Sequence, residues 1–384
     1  MGLYLYVPTL PTFAETRTAD LAVVGAVLSM YGLWQAVVRL PLGIAADAAG
    51  WRKPFILGGL LLAGLGAWTM GSSSGVDGLM IGRAVTGLAA AAWVPLAVAF
   101  SCQFAPRRAV WASAVLTFIS AVGRLVATSL TGFLNRVGGY PLAFHLAAGV
   151  EAAAVVTVLL SRDRRTSRQR PAWGSIGGLV IRRDVLLPSL LGAICQYANW
   201  ASTFGFLPIL VQQLGGSDVD QSILASMNLG LAILGALLVT AVVGRVEARR
   251  MVYLSVALLG VGIAGSALAP SLAAIFAAQV FIGFGQGISY PVLMGLSIRH
   301  VAEDQRSTAM GVYQAIYAAG MFGGPSFGGV LAGAMGIRPM LGTTGLACLG
   351  LGLVMTWRLV EPAAEASRQP AGRPGESESH TRPG

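Results

Sequence analysis

Side chains able to do chemistry are few in this sequence, and most stand inside long apolar stretches. Arg83, Arg124 and Glu151 each interrupt a hydrophobic run, and Glu151 is the one carboxylate deep inside such a run. Gln196, Asn199, Trp200 and Thr203 recur at helical spacing and share a face. Tyr31, Trp34 and Gln35 offer similar groups in the first half, and Asn228, Gln286, Tyr290, Gln314 and Tyr317 in the second. Amides, aromatic rings and isolated charges recognise a solute. Bond cleavage needs paired carboxylates, a nucleophile beside its base, or metal ligands. No such cluster is visible: His145 stands alone in an apolar run, while His300 and His380 lie at a break and in the tail. Cys102, Cys195 and Cys348 are scattered without a CxxC spacing and read as small buried hydrophobes. No Walker A loop is present, so ATP is not expected to supply energy. The residues predict neither an enzyme nor a cofactor or metal.

The elements that must position these groups follow from composition. Hydrophobic residues make up 55% of the 384 residues and charged residues 11%, with a mean hydropathy of +0.70. That is more apolar surface than a soluble chain can hide, so lipid must serve as part of the solvent. A bilayer core of roughly 30 Å calls for about 20 apolar residues per helix, and only helices or closed barrels satisfy the backbone there. Continuous apolar runs exclude the barrel. Spans are predicted at 20–45, 53–72, 78–103, 110–135, 140–161, 185–212, 218–243, 251–269, 271–299, 307–334 and 339–360. Ahead of them lies a fragment, 1–13, too short to cross alone.

The net charge of +10 forms no aromatic-interleaved patch, so no nucleic-acid partner is expected. It sorts instead by side of the membrane. Arg17, Arg136 and Arg338 fall on one side and Arg39, Arg83 and Arg124 inside spans, which leaves 20 of the 26 Lys and Arg residues on the other side. The positive-inside rule then puts that basic side, with the C-terminus, in the cytoplasm of a multi-pass plasma (inner) membrane protein.

The chain also repeats itself. An offset of about 197 residues superposes Arg52-Lys53 on Arg249-Arg250, Gly87 on Gly283, Pro95 on Pro291, Gly123 on Gly320 and Gly132 on Gly329. Two parallel bundles are predicted, 1–161 and 185–360, joined by a basic cytoplasmic linker at 162–184 and followed by a disordered tail at 361–384. The same comparison sets Tyr6-Val7-Pro8 against Phe206-Leu207-Pro208. By that measure the first span lacks roughly fifteen residues, and Met1 is expected to be internal to the gene. A signal peptide is disfavoured, because no basic region precedes the apolar stretch.

Three segments carry a family resemblance. Gly43-Ile44-Ala45-Ala46-Asp47-Ala48-Ala49-Gly50-Trp51-Arg52-Lys53 is similar to the signature loop of the major facilitator superfamily, with Ala48 and Trp51 at basic positions. Arg83-Ala84-Val85-Thr86-Gly87 resembles its Arg-x-x-Gln-Gly element, with Thr86 for Gln. Gly320-Met321-Phe322-Gly323-Gly324-Pro325-Ser326-Phe327-Gly328-Gly329 resembles the Gly-x3-Gly-Pro-x2-Gly-Gly pattern of its drug/proton antiporters, which carry it in the fifth span rather than the eleventh. The resemblance implies an all-α membrane fold of about twelve helices, the first one truncated. It implies a cytoplasmic latch at Gly43, Asp47, Gly50, Arg52 and Lys53, and a proton-coupling or substrate role for Arg83. Gly87, Gly320, Gly324, Pro325, Gly328 and Gly329 are read as packing or hinge positions.

Physical reasoning adds two expectations. An arginine inside a span costs at least ~2.5 kcal/mol unless it meets water or a partner, so Arg83 should face a cavity. Arg124 and Glu151 lie at similar depth in neighbouring spans and are expected to pair, unless Glu151 stays neutral and carries a proton. The function expected is secondary transport by alternating access, as proton-coupled export (efflux by an antiporter) of a drug-like or small-metabolite substrate. Uptake or exchange of an organic anion is the alternative, with an intramembrane enzyme or a non-transporting sensor further off. The partners expected are a small-molecule substrate, protons and the lipid bilayer, acting on a monomer.

Overall fold

The computed structural model describes residues 1–104, 109–161, 178, 180–302 and 305–359, without the side chains at 47, 109–111, 113, 114 and 307. Most of the predicted linker and all of the predicted tail lie outside the described residues. Residues 1–15 form the turns Gly2–Tyr4 and Val7–Thr9 and helix α1, Leu10–Glu15. There follow α2 (Leu21–Ala49), α3 (Lys53–Ser72), α4 (Val76–Ala90) with its continuation α5 (Trp93–Ser101), and α6 (Ala109–Leu160). The second half comprises α7 (Arg183–Ala201), α8 (Leu207–Gln213), α9 (Asp218–Val242), α10 (Ala248–Leu268), α11 (Leu272–Ile298), α12 (Arg306–Met335) and α13 (Ile337–Trp357). Helices are what lipid allows, because each backbone N–H and C=O then finds its partner within the segment.

Every predicted span coincides with a helix, though eight helical stretches among the described residues are long and apolar enough to qualify by length and composition. One of the eight, Val115–Leu160, has 46 residues and would measure about 69 Å, more than twice a bilayer core. It bends at Gly138 and Gly139, where Gly139 takes φ 68°, and so makes two passes. The two predicted spans outside the eight are α12 and the α7–α8 pair, which is joined through a π-helical turn at Ser202–Phe206. Both carry the polar or glycine-rich stretches singled out above, and these lower their hydropathy.

The two halves are copies in packing as well as in sequence. A methyl group added at Gly66 would lie 2.6 Å from Thr86 Cγ2 and 2.7 Å from the Gly82 carbonyl; at Gly262, 196 residues on, it would lie 2.8 Å from Ile282 Cγ1 and 2.9 Å from the Ala278 carbonyl. This α3–α4 contact therefore recurs between α10 and α11. The bend at Gly139 recurs as the turn at Gly336, φ 90°. Without a hydrophobic drive between helices in lipid, such close approach through small residues is what holds the bundle together.

Residues 1–15 pack against the first half and also touch α8 and α9 of the second. Tyr6 stacks on Phe144 with centroids 4.6 Å apart, Phe13 on Tyr140 at 4.9 Å, and Leu5, Tyr6 and Leu10 are buried.

Candidate functional site

The halves meet along two edges, α2 with α12 and α6 with α9. At the end away from the basic loops both edges are closed by the same device. A methyl group at Gly329 would lie 2.6 Å from the Leu21 carbonyl and 2.9 Å from Gly25 Cα; at Gly132 it would lie 2.5 Å from the Asp218 carbonyl and from Val219 Cα. Leu21 and Asp218 are themselves 197 residues apart, so the seal obeys the repeat. Among the described residues, polar bonds reinforce the α6–α9 edge and not the α2–α12 edge. Asn135 donates to Asp218 at 2.9 Å and to Thr9 at 2.9 Å, Tyr140 donates to Asp218 at 3.4 Å, and Ser222 accepts from the Gly132 N–H at 2.7 Å. Thr12 donates to Gln221 at 3.0 Å.

Deeper between the halves the polar side chains converge. Arg83 is 1% exposed, so it does not reach the interface, and its guanidinium lies 4.6 Å from the centre of the Tyr31 ring. Tyr31 stacks across the boundary on Trp200 at 5.6 Å, and Trp200 leans on Phe204 at 5.2 Å. Across from Arg83, Asn228 donates to Asn199 at 3.1 Å and to Thr203 at 3.4 Å, and Thr203 donates to Gln279 at 3.2 Å. Gln196 is buried with an oxygen that accepts no protein hydrogen bond. The predicted face of α7 is thus a real cluster. Towards the basic end Tyr290, Tyr313 and Tyr317 group with centroids 5.4–6.3 Å apart. Gln35 accepts from Arg39 at 3.5 Å. The Gln286 side-chain oxygen is buried without a partner, and Gln314 is half-buried on α12. Trp34 is 37% exposed and makes none of the ring contacts, so it stands apart from the cluster.

The expected pairing of Arg124 with Glu151 does not form. No ion pair joins them, and residues 1–4 intervene: Glu151 faces the Gly2 and Leu3 amides, while Arg124 sits over the Tyr4 ring at 5.7 Å. A cation over a desolvated ring recovers about 2 kcal/mol, against at least ~2.5 kcal/mol for carrying it into the membrane. The rings therefore offset much of the cost for Arg83 and Arg124.

In the signature loop, Gly43 and Asp47 continue α2, Gly50 turns the chain with φ 64°, and Arg52 is buried at the start of α3. Lys53 donates to the Leu159 and Ser161 carbonyls at 3.0 and 2.8 Å, where α6 ends. A cation there favours the negative end of that helix. Arg249 does the same for α13, donating to the Trp357 carbonyl at 2.8 Å. The Asp47 side chain lies outside the described residues. Gly320, Gly324 and Gly328 form a ridge against Ala193, Tyr197 and Ala201 of α7, while Gly329 turns to α2. Gly87 rests on the Tyr31 backbone, 2.7 Å from its carbonyl to an added methyl.

Sequence reasoning missed Tyr4, Tyr6, Arg39 and Gln279 as site residues. Gln279 had a signal: it lies 196 residues after Arg83 and occupies the same place in the second half.

Comparison with known proteins extends these observations. The sequence model of the Major Facilitator Superfamily matches residues 1–191 and again 189–380. The inner membrane transport protein YajR of Escherichia coli K12 is 24% identical over 374 residues, spanning 94% of this chain and 79% of that protein. The class G tetracycline resistance protein of Vibrio anguillarum is 25% identical over 342 residues, 85% of each chain. Among solved structures, a bacterial homolog of the human lysosomal transporter Spinster, inward-facing and unoccupied, aligns with a TM-score of 0.76 at 16% identity over 93% of both chains.

Proposed function

We propose that this chain, which belongs to the Major Facilitator Superfamily, is a proton-coupled secondary transporter that exports a small amphipathic molecule by alternating access. The observation that supports this most is the polar cluster between the halves, Arg83 and Tyr31 facing Trp200, Asn199 and Asn228, below an end where both inter-half edges are closed. Polar groups are tolerated at that depth where they line a path for solute. The contacts that seal the closed end obey the repeat, so rocking one half about the other would release both edges together. Drug resistance in the Vibrio relative favours export. The excess of basic residues at the other end supports a cytoplasmic position for it, on the inner face of the inner membrane.

Vesicles with an imposed proton gradient test the reading: substrate movement should follow the gradient and collapse with an uncoupler. In this reading Glu151, the one deep carboxylate among the described residues, carries the proton. E151Q should then retain substrate exchange and lose its response to the gradient; unchanged coupling would remove Glu151 from the role. Single-cysteine labelling checks the orientation, since positions 77 and 162 should react from opposite sides of the membrane.

A further inference from the structure

Resting on that reading, we propose that the solute is recognised through an oxyanion, a carboxylate or phosphate monoester, held by Arg39, Arg83 and Arg124 of the first half while the rings of Tyr31 and Trp200 take its organic body.

Three observations carry this. First, the three guanidinium groups lie among the aromatic side chains between the halves. Arg83 lies over Tyr31 and Arg124 over Tyr4, and Arg39 follows Tyr31 and Gln35 at four-residue steps along one face of α2, donating to Gln35. Second, no charged acceptor meets them. The Nε atom of each is buried and donates to no protein atom, and no carboxylate among the described residues forms an ion pair with any of them. Glu151 faces the Gly2 and Leu3 amides instead. Tyrosine faces and hydroxyls and the Gln35 amide offer these cations neutral contacts, whereas an oxyanion matches the guanidinium edge with two parallel, charged hydrogen bonds. Third, the scaffold does not need these charges. At offsets of 196 to 197 residues, Arg83, Arg124 and Arg39 correspond to Gln279, Met321 and Ala236, and the second half packs with neutral side chains at all three positions. A cation that one copy of the fold dispenses with serves something other than packing. A cationic solute would face three like charges in a place of low dielectric, which disfavours it.

Equilibrium dialysis with the purified full chain in detergent tests this directly. Two probes share a fluorophore and differ in charge: dansyl-glycine carries a carboxylate and dansyl-ethylenediamine an ammonium. Dansyl-glycine should bind saturably and about tenfold or more tighter than the amine, the scale of one charge-assisted hydrogen bond. R124Q and R39Q should each weaken it about tenfold. R83Q removes a fully buried group and can fail to fold, so these two variants, checked for an unchanged elution profile, carry the test. Unlabelled benzoate and phenyl phosphate should compete, and the stronger competitor names the oxyanion. Equal or tighter binding of the amine, unchanged affinity in R124Q and R39Q, or no competition by either anion would each overturn the proposal. Binding is measured without a membrane gradient, so its failure is separable from that of the transport reading. Dansyl-glycine that binds yet never crosses a vesicle membrane would sink the transport reading and leave the site standing.

Discussion

The two halves are built alike and equipped differently. Gly66 meets Thr86 in the first as Gly262 meets Ile282 in the second, and both halves turn through a positive-φ glycine, at Gly139 and Gly336. The chemistry does not repeat. Arg83 over Tyr31 becomes Gln279 in a chain with Thr203 and Asn228, Arg124 becomes Met321, and Glu151 becomes Cys348. Shared positions report what packing in lipid demands, and unshared ones report what was added for function. A duplicated fold thus supplies its own control.

The largest break of this comparison should come from making the halves alike where they differ. R83Q gives the first half the side chain that the second has; where it folds, transport should fall roughly 10- to 100-fold, the scale of a lost charged hydrogen bond in a dry site. Q279M, at the matching position of the second half, removes one neutral hydrogen-bond acceptor and should cost less transport. Comparable losses in vesicle assays would mean the asymmetry is incidental.

Next in size are the small residues at the two sealed edges. G25L and G132L each push side-chain carbons into the facing backbone, at about 1–3 kcal/mol of overpacking. Because both edges use the same device, both should leave the closed end more accessible to a membrane-impermeant thiol reagent, read at a cysteine placed at position 20. An effect from one alone would break the symmetry of the seal.

The edges differ in polar reinforcement, which predicts a smaller effect. N135A removes the donor that ties Thr9 and Asp218, and should destabilise the closed end by about 1 kcal/mol. T344V, inside the second half, should leave that accessibility unchanged. The cations at the basic end sharpen the likeness again: K53A frees the Leu159 and Ser161 carbonyls and R249A frees that of Trp357, and thermal unfolding should show losses of about 0.5–1 kcal/mol for each.

Smallest is Asp184 at the basic end of α7, whose carboxyl Arg182 holds below its ordinary range through hydrogen bonds of 3.1 and 2.6 Å. A depressed carboxylate contributes stability above its unfolded pKa, and this is lost as pH falls through the folded value. Partial exposure limits the effect to below about 1 kcal/mol. D184N should therefore flatten the acid side of the thermal-stability profile slightly, and an unchanged profile would show the pair to be idle.

Much of the architecture was legible beforehand because lipid leaves a chain few choices. Runs of apolar residues must become helices, and a 197-residue repeat must yield two like bundles. The polar face of α7 was equally legible, since helical spacing alone brings Gln196, Asn199 and Thr203 together. The partners of charged groups were not. Similar depth in neighbouring spans suggested that Arg124 meets Glu151, but depth is one coordinate of three, and residues 1–4 pass between them to give one a tyrosine ring and the other two backbone amides. Which residues of separate helices meet depends on rotation and crossing angle, and those are set by close contacts such as Gly25 with Gly329. Local periodicity determines what each helix is and which of its faces is polar. Only the packed bundle decides which face meets which, because that choice is a compromise among all the helices at once.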